Sequence, residues 1–212
     1  MYSLMNGEFG GEKRMARKTQ EEVLKTRMTL LEEGIKLFAK QGFAATSMLE
    51  IAEEGGYTRG AIHSHFSSKS DIMAFWHAKY KDVETNFIAE VLNGDQTELE
   101  KLIEITKSPL ILAKLNPLYK KVLKVLFLDK YSLENWSEYQ GQELKEIKSS
   151  IQFFEYLFRK IGKKKKVVKG IGRNHFSFFI GNTSLWLDSH ISDKEFISSV
   201  ELQCQMTSEY LD

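Results

Sequence analysis

From Gly42 to Ile72 the chain reads GFAATSMLEIAEEGGYTRGAIHSHFSSKSDI, and the order of caps and breakers in this stretch decides the fold. Ser47 followed three residues later by Glu50 is a capping box, in which each side chain satisfies a backbone N–H that a helix start leaves open. Met48, Ile51 and Ala52 supply the inward face of the short helix that follows. Gly55-Gly56 breaks it, and Thr58 caps a very short helix expected to reach Phe66. Ser68 with Asp71 then opens a long one. Two short helices joined by a glycine-containing turn make a helix-turn-helix unit, whose second helix meets base edges in the DNA major groove with its N-terminal residues.

Working outward, the periodicity remains helical. Upstream, Thr19 with Glu22 is another capping box, Leu24, Met28, Leu31, Ile35 and Phe38 share one face, and Gly42 stands where a left-handed cap belongs. Downstream, the helix from Ser68 is expected to bury Ile72, Phe75, Trp76, Tyr80, Val83, Phe87 and Val91, and to end at Asn93-Gly94-Asp95. Leu99 to Leu115 is kinked or divided by Pro109, and Pro117 opens the next helix at its first turn. A long helix from about Ser137 presents Ile147, Ile151, Phe154, Phe158 and Ile161, and two further helices close the chain. No strand alternation of useful length and no phosphate-binding glycine loop occur, so the fold class is all-α.

The pair His63 and His65 raises a competing possibility, a metal site. On a helix, residues two apart point roughly 200° from one another and cannot easily share an ion. The helical zinc spacing is four, and those steps reach Arg59, Ser67, Ala61 and Lys69, none of them a plausible ligand. No metal and no cofactor are expected. DNA contact uses the same stretch better. Arg59 can donate two hydrogen bonds to guanine, and Gly60 lets backbone approach the duplex closely. Thr58 lies beside them, while Thr46 and Ser47 can give hydroxyl and N–H donors to a phosphate. Lys69, at the start of the long helix, favours another phosphate, and His63 and His65 serve as polar donors to the backbone.

Composition narrows the class. The 212 residues carry 30 Lys plus Arg against 29 Asp plus Glu, so a basic surface must be local rather than global. One cysteine, Cys204, allows no internal disulfide and fits a reducing compartment; its helical setting points to a buried apolar role. No apolar run approaches the ~20 residues that span a bilayer, and the first residues lack the apolar core of a signal peptide. Residues 1–14 are expected to be a disordered lead-in, with Met15 an alternative start. A cytoplasmic location follows, with no membrane partner.

Gly42 to Ile72 resembles the signature of TetR-family transcriptional repressors, and ARKTQEEVLKTR from Ala16 together with the TRGAI, HF and KSD elements is similar to the AcrR-type repressors of bacterial multidrug efflux operons. The strong match covers about Ala16 to Asp71. The resemblance implies a DNA-binding domain over 15–70 and a helical ligand-binding and dimerisation domain over 71–212. It places the family's phosphate-contacting tyrosine at His63, its neighbouring histidine at His65 and its lysine at Lys69. His63, Ser64 and Tyr57 depart from the usual residues. Arg17 and Lys18 either reach an adjacent groove, as basic arms do, or form a solvated tail.

The rest of the chain is strongly aromatic, and most of those rings must be core. The resemblance implies a ligand cavity among them, with Trp76, Phe87, Phe127 and Phe154 as candidate walls and a small lipophilic or aromatic effector that releases DNA. It also implies a homodimer on a palindromic double-stranded operator, built on Phe178, Gly181, Ser184, Leu185, Trp186, Phe196 and Val200. Control of an efflux or stress-response operon is the family expectation. The lysines at 163–166 read as an exposed connection or as a secondary contact to DNA or a partner. An enzyme is disfavoured: His175 and His190 have no nucleophile to serve, so no catalytic residues are assigned. A helical protein-interaction module without DNA binding is the rival class.

Overall fold

The computed structural model describes residues 19–128, 136–162 and 170–211, with side chains left undescribed at 128 and 136–144. Residues 1–14, Met15, Arg17, Lys18 and the lysines at 163–166 lie outside the described residues. Among the described residues there are ten helices and no strand: α1 (Gln20–Gln41), α2 (Met48–Glu54), α3 (Arg59–His63), α4 (Lys69–Asn93), α5 (Glu98–Thr106), α6 (Ser108–Leu115), α7 (Pro117–Leu128), α8 (Trp136–Ile161), α9 (Ile171–Leu187) and α10 (Asp193–Leu211). The chain is all-α.

Local chemistry accounts for the boundaries. Thr19, Ser47 and Thr97 each form a two-way capping box with the glutamate three residues on. Gly42 ends α1 with φ +89°, and Gly56 turns the chain between α2 and α3 with φ +75°, conformations that a side chain would strain. Pro109 divides rather than kinks: α5 stops at Thr106 and α6 starts afresh at Ser108, because a proline at the second helical position removes no needed N–H. Two of the expected core positions lie outside instead. Leu24, in the second turn of α1, and Val83, midway along α4, are both exposed. α3 is also shorter than expected, closing at His63, although the N–H groups of His65 and Phe66 still donate to the Ile62 carbonyl.

α1, α2 and α3 pack around Leu30, Leu31, Ile35, Phe38, Phe43, Ile51 and Ile62, all essentially inaccessible. Burying each such side chain contributes about 1.5–3 kcal/mol. α4 leaves this head and enters the bundle. Its Trp76 indole N–H donates to the Leu31 carbonyl of α1 at 2.9 Å across buried space. Arg27 of α1 places its guanidinium 5.0 Å from the Phe66 ring and 5.3 Å from that of Phe75, strapping the α3–α4 connection to α1. α8 and α9 approach closely at Gly172, where a Cβ would sit 2.5 Å from the Ile151 carbonyl oxygen and 2.9 Å from the Glu155 nitrogen. His175 is sealed into this seam, its Nε2 3.0 Å from the Thr106 hydroxyl and its ring edge-on to Phe154 and Phe158. Burial holds it down at about 4. Cys204 is fully buried, and burial pushes its thiol up to about 12.

Candidate nucleic-acid interface and an internal cavity

The expected reading surface comes together on one side of the head. Thr58, Arg59, Gly60, His63 and Ser64 are all exposed and contiguous along α3. Its inner side is anchored by Ile62, which is fully buried. Thr58 caps the helix by accepting from the Ala61 N–H at 3.3 Å, leaving its hydroxyl proton available outward. A Cβ at Gly60 would find only the Thr58 hydroxyl, at 4.0 Å, so nothing inside the chain demands glycine there. His63 stands exposed at the end of α3, whereas His65 is half-buried beside Phe66. Tyr57 closes the turn before α3: its N–H donates to the Ala52 carbonyl at 2.7 Å, and its ring lies 3.2 Å from where a Cβ of Gly55 would stand.

Three of the expected phosphate ligands are engaged within the chain. Thr46 is buried, its hydroxyl donates to the Gly42 carbonyl at 2.8 Å and its N–H points back to Phe43, so it braces the α1–α2 turn and offers nothing outward. Ser47 is exposed, but its side-chain oxygen and N–H are both engaged with Glu50, which the Ser47 N–H holds below the usual carboxylate range. Lys69 donates to the Phe43 carbonyl at 2.8 Å and to the Ala44 carbonyl at 3.4 Å, with its ammonium 4.7 Å from the Phe43 ring. It therefore ties the first turn of α4 to the α1–α2 turn with two of its three N–H donors. These tethers depend on pairs far apart in sequence, which is why spacing alone did not reveal them. The same holds for Arg27.

Behind the head, α4, α7, α8 and α9 line a half-open cavity of about 400 Å³, with Pro109 of α6 at one edge. Phe127, Phe176 and Phe179 line it together with Tyr80 and Tyr119. The two tyrosine rings stack with centroids 3.7 Å apart. Of the four expected wall residues only Phe127 lines the cavity. Trp76 is buried toward α1, Phe154 packs on His175 in the α8–α9 seam, and Phe87 lies further along α4 against the core. A helical repeat identifies which rings turn inward, but only the mutual placement of four helices decides which of them border a void. The polar lining is concentrated on α4 and α8: His77, Tyr80, Lys81 and Glu84 face Glu146, Ser149 and Ser150.

The surface expected to pair two chains divides in a similar way. Trp186, Phe196 and Val200 are buried within this chain, with the Trp186 indole donating to Asp193 at 2.9 Å, so they support the α9–α10 pair from inside. Phe178 and Ser184 are half-buried, while Gly181 and Leu185 are exposed on the outer face of α9. α10 adds a stripe that the sequence reading missed. Leu202, Met206 and Tyr210, four residues apart, are 59%, 59% and 69% exposed. The i, i+4, i+8 spacing was the available signal; it was masked because the opposite face, with Phe196, Val200, Cys204 and Leu211, is equally apolar.

Residues 30–74 match the family described as bacterial regulatory proteins, tetR family. Over 60 residues the chain is 48% identical to the HTH-type transcriptional regulator AcrR of Shigella flexneri, and over 59 residues 42% identical to the HTH-type transcriptional regulator TtgR of Pseudomonas putida. Each match spans 28% of this chain and only 28% of the relative. The whole fold is similar to that of NalD, the secondary repressor of the MexAB-OprM multidrug efflux pump in Pseudomonas aeruginosa. The TM-score is 0.71 at 20% identity, covering 91% of this chain and 98% of that one. No described helix is long and apolar enough to cross a membrane. The likeness to the tetR family of bacterial regulatory proteins is thus one of residues 30–74, and the likeness to NalD is one of fold.

Proposed function

We propose that this chain is a ligand-released repressor that binds a palindromic operator as a homodimer and controls an efflux or stress-response operon. One observation carries the reading: α4 belongs to both halves. Its first residue, Lys69, is bonded to the turn that positions α2 and α3, and its fourth and fifth turns supply Tyr80, Lys81 and Glu84 to the cavity. At 1.5 Å per residue, Lys69 and Tyr80 stand about 16 Å apart on one rigid helix. A molecule that shifts α4 from within the cavity moves the tether of the head. Operator affinity then changes by the difference in the molecule's affinity for the two positions of α4.

In this reading Arg59 and Thr58 read base edges, Gly60 allows close approach, and Ser47, His63 and Lys69 position phosphates. The outer faces of α9 and α10 pair two chains, with Leu185, Leu202, Met206 and Tyr210 at the seam. The two-fold axis sets the reading helices about one DNA turn apart. Footprinting on the DNA flanking the chain's own gene, at fixed salt, tests it. A protected palindrome that clears when an aromatic compound fills the cavity is the expected result. Absence of protection at every salt concentration overturns it in favour of a helical protein-interaction module.

A further inference from the structure

Most polar groups expected to hold phosphates are committed within the head, and His63 is not. Thr46 is buried, Ser47 is engaged with Glu50, and Lys69 is tied to the Phe43 and Ala44 carbonyls. His63 is exposed at the last position of α3, and its imidazole has no hydrogen bond or ion pair among the described residues. It lies four residues after Arg59, so the two side chains leave α3 on nearly the same side, offset by about 6 Å along the axis. Ile62, fully buried beside it, fixes which side of α3 turns inward. The DNA major groove is about 12 Å wide. With Arg59 over the base edges at its middle, His63 stands at the phosphate-lined wall.

Resting on the reading of α3 as the helix that enters the groove, we propose that His63 holds a DNA phosphate as an imidazolium, so that each head takes up a proton on binding and operator affinity falls as pH rises through neutrality. The charged and titratable groups around it come from three helices and one connection. They are Arg59 on α3 itself, Glu50, Glu53 and Glu54 on α2, which packs on α3, His65 in the α3–α4 connection, and Lys69 and Asp71 at the start of α4. Glu50 and Asp71 accept from the Ser47 and Ser67 N–H groups, and Lys69 donates to backbone carbonyls. Glu53 and Glu54 are exposed in the last turn of α2. None of these groups forms a hydrogen bond or ion pair with His63, so a docked phosphate is the partner that decides its charge. Histidine changes charge in the neutral range, whereas arginine keeps its own. A phosphate stabilises the charged imidazole, so the proton is held more tightly in the complex than in the free chain. The added affinity is therefore fully present where the free imidazole is already charged, and it is lost as pH rises through the titration of the complex.

The test uses the full chain on two duplexes, the operator found by footprinting and a random-sequence duplex of equal length, because a phosphate contact serves both. Fluorescence anisotropy at several salt concentrations reads the affinity at pH 6, 7 and 8. Expected is a wild-type affinity that falls as pH rises, by up to about tenfold per pH unit for each head bound. The plot of log affinity against log salt should be steeper at pH 6 than at pH 8, by about 0.9 for each phosphate held. His63→Gln, which keeps a donor but carries no charge, is expected to lose both dependences on pH. His63→Arg, charged throughout, is expected to show at pH 8 the salt dependence that the wild-type chain shows at pH 6. Thermal unfolding at each pH confirms that both variants fold. A wild-type affinity that does not vary with pH, or a variation that His63→Gln retains, overturns the proposal and leaves the DNA-binding reading standing. Absence of binding to both duplexes at pH 6 overturns that reading and the proposal with it.

Discussion

Replacing Gly60 by alanine pulls stability and DNA binding in opposite directions. Gly60 lies in the first turn of α3, is exposed, and is not among the residues of positive φ. An added methyl has open space, its nearest neighbour being the Thr58 hydroxyl at 4.0 Å. Nothing in the folded chain resists it, and alanine restricts the unfolded chain more than glycine does. The expected gain is roughly 0.5–1 kcal/mol, which raises Tm by about 1–4 °C for a chain of this length. On DNA the same methyl points at the groove. If backbone and duplex approach as closely as the exposed face of α3 permits, the clash costs about 1–3 kcal/mol, or up to roughly a hundredfold in operator affinity. Differential scanning calorimetry and fluorescence anisotropy on the footprinted operator, at one salt concentration, measure both. Unchanged affinity would refute the close approach. A lowered Tm would refute the helical placement of Gly60.

Arg59→Ala is expected to weaken operator binding by about 1–3 kcal/mol and to relax preference at one base pair without altering Tm, read by anisotropy across single-base operator variants. His175 makes the fold sensitive to acid. Its folded value of about 4 lies below the ordinary 6.5, so the unfolded chain takes up the proton first; stability is complete above 6.5 and is lost as pH falls toward 4. The loss attributable to this residue is about 2 kcal/mol at pH 5. His175→Asn should flatten that part of the Tm-against-pH curve even if its Tm at neutral pH is lower. Met206→Glu, on a 59% exposed position of α10, should leave the protomer folded and convert a dimer to monomers in sedimentation velocity; an unchanged sedimentation coefficient would move the seam elsewhere.

Much of the head was legible because its signals are local. Ser47 with Glu50, Gly56 and Thr58 act on backbone groups within a few residues of themselves, so α2, the turn and α3 follow from sequence, and Arg59 and Gly60 fall on the exposed face by helical geometry alone. The same locality misled at Thr46. A hydroxyl at a helix start is a fair phosphate donor, but here it points into the turn, a choice set by packing of Phe43 rather than by spacing. Leu24 and Val83 lie on helices the periodicity identified yet remain exposed, since a period gives the face of a helix and not which of its positions a neighbour covers.

By itself, then, the sequence determined the all-α class, the two short helices with their turn, and which residues of the second stand exposed, because caps, breakers and a 3.6-residue period operate over a single turn. The tertiary structure decided everything that depends on residues meeting from distant segments. Lys69 found the Phe43 carbonyl 26 residues away, and Trp76 found Leu31. Phe127 reached a cavity that Trp76 and Phe154 do not, where Tyr80 and Tyr119 stack. A void and an orphaned hydroxyl such as that of Tyr80 are properties of how helices pack against one another, and no periodicity along one helix contains that information.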